Sequence, residues 1–370
     1  MILKDWYCLH NPEETITPAL LVSPKAIRRN IDLMIEMAGS VKNLRPHIKT
    51  HKTAEIINMQ LESGIQKFKC ATIAEAELLA QNKAKDVLLA MQPVGANIDR
   101  FLRLMKTCPQ TEFSTLVDHP SILKKISDTA DKEKMSVSLW LDINNGMNRT
   151  GISPNNHAFK LYKSMTASSR IAVMGLHVYD GHLRNTDFEQ RKKDCDRAFQ
   201  SVMDFKNSLE KEGLAVPSIV AGGSPTFPFH CLREGVETSP GTTLLWDAGY
   251  GNSFPEMKFK MAAVLATRVL SKPKEDILCL DLGHKWLAPE MGFPRVQFLN
   301  EDSFEQVGQS EEHFVINTNK SEAYQIGDIV YAIPQHICPT VAKYDYLQVV
   351  ENNEIVGSWK VAARNQSIHI

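Results

Sequence analysis

Short runs of β-branched and apolar residues recur through the first two-thirds of the chain, at 43–48, 67–71, 87–91, 113–117, 137–142, 172–178, 218–221 and 243–247. Between most of them the apolar positions change to a helical spacing. Ile73, Ala76, Leu79 and Ala80 share one face over 73–83, and segments 98–105 and 122–130 behave likewise. Segment 187–209 carries Phe188, Cys195, Phe199, Val202 and Phe205 on one stripe. Ser23-Pro24 opens a further helix running through Met37. Strand and helix in alternation predict a parallel sheet, and eight strands is the number that closes a barrel. A doubly wound open sheet is the rival, but no GxGxxG follows a strand and no GxxxxGK[ST] is present.

After about residue 255 the rhythm changes. Segments 261–270, 276–282, 313–317, 329–334, 346–350 and 354–361 read as strands with turn signals and no long helix between them. The predicted architecture is an α/β barrel of the TIM-like (β/α)8 kind over 18–250. Residues 1–17 and 251–370 are expected to form a mostly β domain.

Composition narrows the function. At 43% apolar and 23% charged the chain is ordinary globular protein, and Lys+Arg 42 against Asp+Glu 43 leaves a net charge of -1. That balance argues against a nucleic-acid or polybasic membrane binder. No apolar run reaches about 18 residues, and Met1-Ile2-Leu3-Lys4-Asp5-Trp6 has no secretory pattern. The 7 cysteines, at 8, 70, 108, 195, 231, 279 and 338, form no CxxC. Such a scattered, odd set suits reduced thiols and a cytoplasmic location.

Candidate chemistry gathers at the strand ends, where barrels carry their reactive groups. On the first strand Leu44, Pro46 and Ile48 alternate with Arg45, His47 and Lys49, so three basic groups point inward. Such groups cannot be buried without partners; a bound anion, or a lysine converted to an imine, resolves this. The sixth strand presents Gly175, His177 and Tyr179 inward, followed by Asp180-Gly181-His182. The seventh ends in Gly222-Gly223-Ser224-Pro225-Thr226 at a helix start, the composition of a phosphate cradle. A barrel lysine and a phosphate cradle together suggest pyridoxal 5'-phosphate, with a phosphosugar barrel using a Schiff-base lysine as the competitor. Near the C-terminus, His336 and Cys338 stand two apart, which on an extended strand puts imidazole and thiolate on one face, a pair suited to zinc.

The segment Arg45-Pro46-His47-Ile48-Lys49-Thr50-His51-Lys52 resembles the cofactor-lysine motif of the D-threonine aldolase and D-serine dehydratase group, fold-type III pyridoxal-phosphate enzymes with an alanine racemase-like barrel. The resemblance extends over 142–151, 175–182, 222–226, 239–242, 310–313, 327–328, 336–338 and 362–364. It implies Lys49 as the cofactor's lysine with His47 beside it, Arg149 at the phenolate edge and Tyr179 against the ring. It implies Gly222, Gly223, Ser224 and Thr226 at the phosphate. His336 and Cys338 would hold a divalent metal, zinc first, with manganese or magnesium as alternatives. A homodimer is implied as well. Two departures bear on the reaction. Aldolases of the group can carry a histidine six residues after the tyrosine, where this chain has Asn185, with His182 the nearest histidine. Some aldolases carry Asp where Cys338 stands, as it does in the dehydratases. The expected activity is a lyase on D-β-hydroxy-amino acids, aldolase or dehydratase, with an amino-acid racemase and a non-enzymatic pyridoxal-phosphate carrier as the remaining readings.

Overall fold

The computed structural model describes residues 6–370. The chain divides into two compact units. One comprises residues up to Leu33 with Thr50–Met59 and Thr242–Arg364; the other comprises Met34–Lys49, Gln60–Gly241 and Asn365–Ile370.

The chain enters through strand β1 (Ala19–Val22) and helix α1 (Pro24–Ala38), followed by α2 (Ala54–Glu62). Buried Asn30 on α1 donates to the carbonyls of Leu244 and Lys260 and accepts from the Lys260 N–H, so a polar residue fixes the helix in place.

The second unit holds the parallel sheet. Its strands are β2 (Lys67–Cys70), β3 (Asp86–Leu89), β4 (Glu112–Val117), β5 (Val137–Ile143), β6 (Ile171–Val178), β7 (Ser218–Ala221) and β8 (Val236–Thr238), paired in chain order. Helices α3 (Ile73–Gln81), α4 (Ala96–Thr107), α5 (Pro120–Lys132), α6 (Asn156–Ala167) and α7 (Phe188–Lys211) alternate with them. Their starts are marked in the sequence: Thr72, Asn155 and Asp187 each accept a backbone N–H from the first turn.

The eighth place in the barrel is filled without a regular strand. Leu44 bridges Thr238 and His47 bridges Lys69, both in parallel, so residues 44–47 run between β8 and β2 and close the ring. The expected strand at 43–48 is therefore a pair of isolated bridges. The run at 243–247 is not a strand either: Thr242–Leu244 is a 3-10 turn, and the short Val236–Thr238 takes its place in the sheet. Leu88, Leu116, Trp140 and Val220 form an apolar cluster inside the sheet. Arg45, 1% exposed, donates to Asp86 through both terminal nitrogens and to Glu237 through Nε, while Lys67 pairs with the other Glu237 oxygen. The first of the inward basic groups is thus neutralised by the protein's own carboxylates and calls for no bound anion.

The first unit carries a mostly β fold, with bounds other than 1–17 and 251–370: it also takes in 18–33, 50–59 and 242–250 and stops at Arg364. Its strands are β9 (Ala263–Lys274), β10 (Ile277–Leu280), β11 (Val296–Phe298), β12 (Glu305–Gln309), β13 (Phe314–Asn317), β14 (Ile329–Pro334), β15 (Tyr346–Glu351) and β16 (Glu354–Lys360). The order is β12-β13-β10-β9-β1-β15-β16, with β14 joining β9 to β11. β1 lies antiparallel to β9 and parallel to β15, so a strand from the start of the chain completes a sheet built from its end. Among the described residues no helix is long and apolar enough to cross a membrane, and no cysteine forms a disulfide.

Candidate active site

In the barrel unit three cations converge on one aromatic ring. Lys49 follows the segment that fills the eighth place and sits in the 3-10 turn Ile48–Thr50, its backbone N–H donated to His47 Nδ1 at 3.2 Å. Its Nζ lies 5.9 Å from the centroid of the Tyr179 ring, Lys69 Nζ lies 5.8 Å away and Arg149 Cζ lies 4.6 Å away. Tyr179 follows β6 between two glycines. A Cβ on Gly181 would come within 2.3 Å of the Tyr179 hydroxyl, and one on Gly223 within 3.1 Å of its Cε2.

Beside this cluster His177 Nδ1 meets Asp142 Oδ1 at 2.7 Å, both side chains buried. Burial pulls the His177 pKa down against the charge of Asp142. Its Nε2 is buried with no hydrogen-bond partner among the described residues, which leaves a polar atom facing a position that a ligand can satisfy.

The glycine turn after β7 has the conformation expected of a cradle. Gly222 has φ +77°, and a Cβ there would lie 2.6 Å from His230 Cδ2 and 2.9 Å from Thr226 Oγ1. Its N–H is already donated to Val178 O, and the Gly223 N–H reaches Thr226 Oγ1 at 3.3 Å. Ser224 Oγ accepts from the Gly241 N–H. The Thr226 hydroxyl donates to Asp180 Oδ1 at 2.7 Å, so its proton is committed within the protein and its role is to hold the turn. The Ser239 hydroxyl is buried with no partner among the described residues, on a residue whose N–H is donated to Ala221 O at the end of β7.

Behind the cradle lies a buried network that no local sequence pattern announced. His230 Nε2 meets Asp180 Oδ2 at 2.7 Å, and Cys195 Sγ lies 3.4 Å from the same nitrogen. Burial opposes ionisation of Asp180, but His230 and Thr226 outweigh it and hold its pKa below the usual value. The Cys195 thiol is pushed up to about 12 by burial, with Asp180 adding to it. Asp180, Cys195 and His230 are, among the described residues, the one trio spaced to hold a metal ion. The Arg233 guanidinium lies 3.8 Å from Cys195 Sγ, and Asp180 and His230 pair with each other behind the cradle.

His182 is exposed and its ring lies against the turn at Gly146, where a Cβ would be 3.0 Å from His182 Nε2.

The β unit carries the predicted metal pair. His336 caps the short helix Ile337–Val341, so Cys338 comes from a first helical turn and not from an alternating strand. His336 Nδ1 meets Glu290 Oε1 at 2.7 Å, and Cys338 Sγ lies 3.0 Å from Thr50 Oγ1 and 3.5 Å from Thr242 Oγ1. Burial works against a charged His336. The hydrogen bond to Cys338 and its charge, with Glu290 and Asp247, outweigh that and raise its pKa to about 9. The carboxylate on one ring nitrogen holds the ring in place, and the imidazole and the sulfur beside it are donor types that zinc accepts. Glu290 stands 46 residues before His336, so spacing gave no sign of it.

Residues 22–247 match the family described as "Alanine racemase, N-terminal domain". The chain belongs to that family. In this alanine racemase-type chain, residues 262–350 match a second family, described as "Putative serine dehydratase domain". A 3-hydroxy-D-aspartate aldolase of Paracoccus denitrificans (strain Pd 1222) is 28% identical, over 95% of this chain and 93% of that protein. A D-serine dehydratase of Dictyostelium discoideum is 27% identical, over 93% and 96%. The crystal structure of D-threonine aldolase from Filomicrobium marinum is similar with a TM-score of 0.88 at 25% identity, covering 95% of this chain and 96% of that one.

Proposed function

We propose that this protein is a pyridoxal 5'-phosphate- and metal-dependent lyase that cleaves D-β-hydroxy-amino acids to glycine and an aldehyde, in the manner of a D-threonine aldolase. The observation that carries the reading is the barrel cluster: a lysine and an arginine against one tyrosine, a glycine cradle beside that tyrosine, and two buried polar atoms, His177 Nε2 and Ser239 Oγ, left without partners. These residues suit a planar, anionic cofactor. Relatives of both activities match along nearly the whole chain, which supports a lyase over a bare carrier.

Bound pyridoxal phosphate supplies an electron sink for charge developing at the substrate's α-carbon. Lys49 would hold the cofactor through its amine and would serve as a base at the substrate's α-carbon. Arg149 and Tyr179 orient the ring, while Gly223 and Ser224 receive the phosphate. Thr226 and Gly222, backed by Asp180 and His230, keep that turn in shape. His336 and Cys338 would hold a divalent metal, zinc first, which supplies Lewis-acid binding of the β-hydroxyl. His182 Nε2 is the proton acceptor assigned in place of Asn185. Two subunits of this chain form the expected assembly.

Dehydration is the second reading, favoured by Cys338 at a position where some aldolases carry Asp; it gives a 2-oxo acid and ammonia. The deciding experiment incubates the protein with D-threonine, D-serine or D-3-hydroxyaspartate, with zinc or with a chelator, and assays glycine against ammonia. Chelator-sensitive glycine supports the aldolase, and chelator-sensitive ammonia the dehydratase. Racemisation that survives chelation overturns both.

A further inference from the structure

Lys69 is a buried cation for which the fold supplies no anion. It is 2% exposed, and among the described residues no carboxylate lies within ion-pair distance of it. Its neighbour on the same face of β2, Lys67, pairs with Glu237. The carboxylates whose charge Lys69 feels are already committed, Asp142 to His177 and Asp180 to His230 and Thr226. Burial and the charge of Lys49 pull its pKa down to about 7. An unpaired ammonium held in such a place is expensive unless a ligand completes it.

The strand order says which part of the ligand that is. In pyridoxal phosphate the ring carbon bearing the aldehyde lies between the carbon bearing the phenolate oxygen and the carbon bearing the phosphate arm. Seen from the aldehyde, the two anionic groups lie on opposite sides. Around the barrel the sequence is β7, β8, the 44–47 segment that leads into Lys49, then β2. The cradle after β7 lies to one side of Lys49. Lys69, on β2, lies to the other, with its ammonium on the same tyrosine ring as Lys49 and Arg149.

We propose that Lys69 holds the cofactor's phenolate oxygen, as a second cation beside Arg149, and is the positioning residue that fixes the ring's orientation. The inference rests on the cofactor reading given above. Lys69→Met removes the charge while keeping most of the side chain's bulk, and Lys69→Arg keeps the charge.

The test is a binding cycle read by visible absorbance and equilibrium dialysis. It uses pyridoxal 5'-phosphate and its 3-deoxy analogue, which keeps the aldehyde and the phosphate but lacks the phenolate oxygen. Wild-type protein should prefer pyridoxal phosphate by about ten-fold or more, the scale of a charge-assisted hydrogen bond. In Lys69→Met that preference should fall to the share left by Arg149, with the absorbance band of bound pyridoxal phosphate shifted, and Lys69→Arg should restore most of it. Thermal melts of the cofactor-free proteins check folding, and Lys69→Gln carries the same cycle if the methionine variant does not fold. Equal weakening of both ligands overturns the inference and leaves the cofactor reading standing. Failure of the wild-type protein to bind pyridoxal phosphate overturns that reading itself.

Discussion

Gly222→Ala separates a cradle held rigidly from a turn that merely contains glycine. The residue has φ +77°, where an alanine costs about 1 kcal/mol from backbone conformation alone. The new methyl would also sit 2.6 Å from His230 Cδ2 and 2.9 Å from Thr226 Oγ1. Neither neighbour can yield cheaply, because both are buried and bonded to Asp180. Overpacking of this kind adds about 1–3 kcal/mol, for a total of about 2–4 kcal/mol. Gly235→Ala is the matched control: its φ is +71°, but no atom lies within 4 Å of the added Cβ, so only the backbone contribution remains. Urea unfolding of the cofactor-free variants measures the two costs. Absorbance titration with pyridoxal phosphate measures the functional loss, expected to be about ten-fold or more for Gly222→Ala, since 1.4 kcal/mol is about a factor of ten. If Gly222→Ala matched Gly235→Ala in stability and in cofactor affinity, the reasoning about a rigid, backed cradle would be wrong.

His336→Ala should leave the fold and the cofactor's absorbance intact while removing zinc-dependent cleavage; activity at the wild-type level in this variant would remove the metal from the mechanism. Cys338→Asp should keep cleavage and move the metal preference from zinc toward manganese or magnesium, measured by reconstituting stripped protein with each ion. The stability of cofactor-free protein should depend on Lys69 with a definite sign. Its folded pKa of about 7 lies below the unfolded value of about 10.4, so the unfolded chain binds the extra proton between them and stability rises with pH over that window. The groups that bear on it are Lys49, Arg45, Asp142 and Asp180. Subtracting Lys69→Met from wild type in melts from pH 7 to pH 10 isolates its share, which should favour wild type increasingly as pH rises; a flat difference would contradict the burial argument.

The barrel was legible where apolar runs alternate with helical stripes, as in β3 to β7. It was misread where apolar character and regular strand part company. Residues 243–247 are apolar because Leu244, Leu245 and Trp246 are buried, yet the backbone there turns, with Trp246 at φ +48°. Val236–Thr238 is too short, with charged Glu237 at its centre, to stand out, and Pro46, which has no N–H to donate, interrupts the segment that fills the eighth place. β1 was hidden between Pro18 and Pro24 although it completes the β unit's sheet. In the site, Lys49, Arg149 and Tyr179 followed from motif and alternation. Lys69 on β2 obeys the same alternation as Arg45, His47 and Lys49, so its inward basic group is legible by the same periodicity. Asp180–His230–Cys195 and Glu290–His336 were not legible, since each joins residues far apart in the chain with no local periodicity to mark them. His336 and Cys338 were found by a spacing rule for strands, but a helix cap is what brings them near each other.

Every chemical role assigned to the barrel unit depends on Lys49 being the amine that carries the cofactor. Borohydride reduction of the protein loaded with pyridoxal phosphate, followed by proteolysis and mass spectrometry, reads this directly. The pyridoxyl label should be found on Lys49, and Lys49→Ala should take up none. A label on Lys69 or Lys52 in the wild-type protein would contradict the assignment and, with it, the orientation of the ring inferred from the strand order.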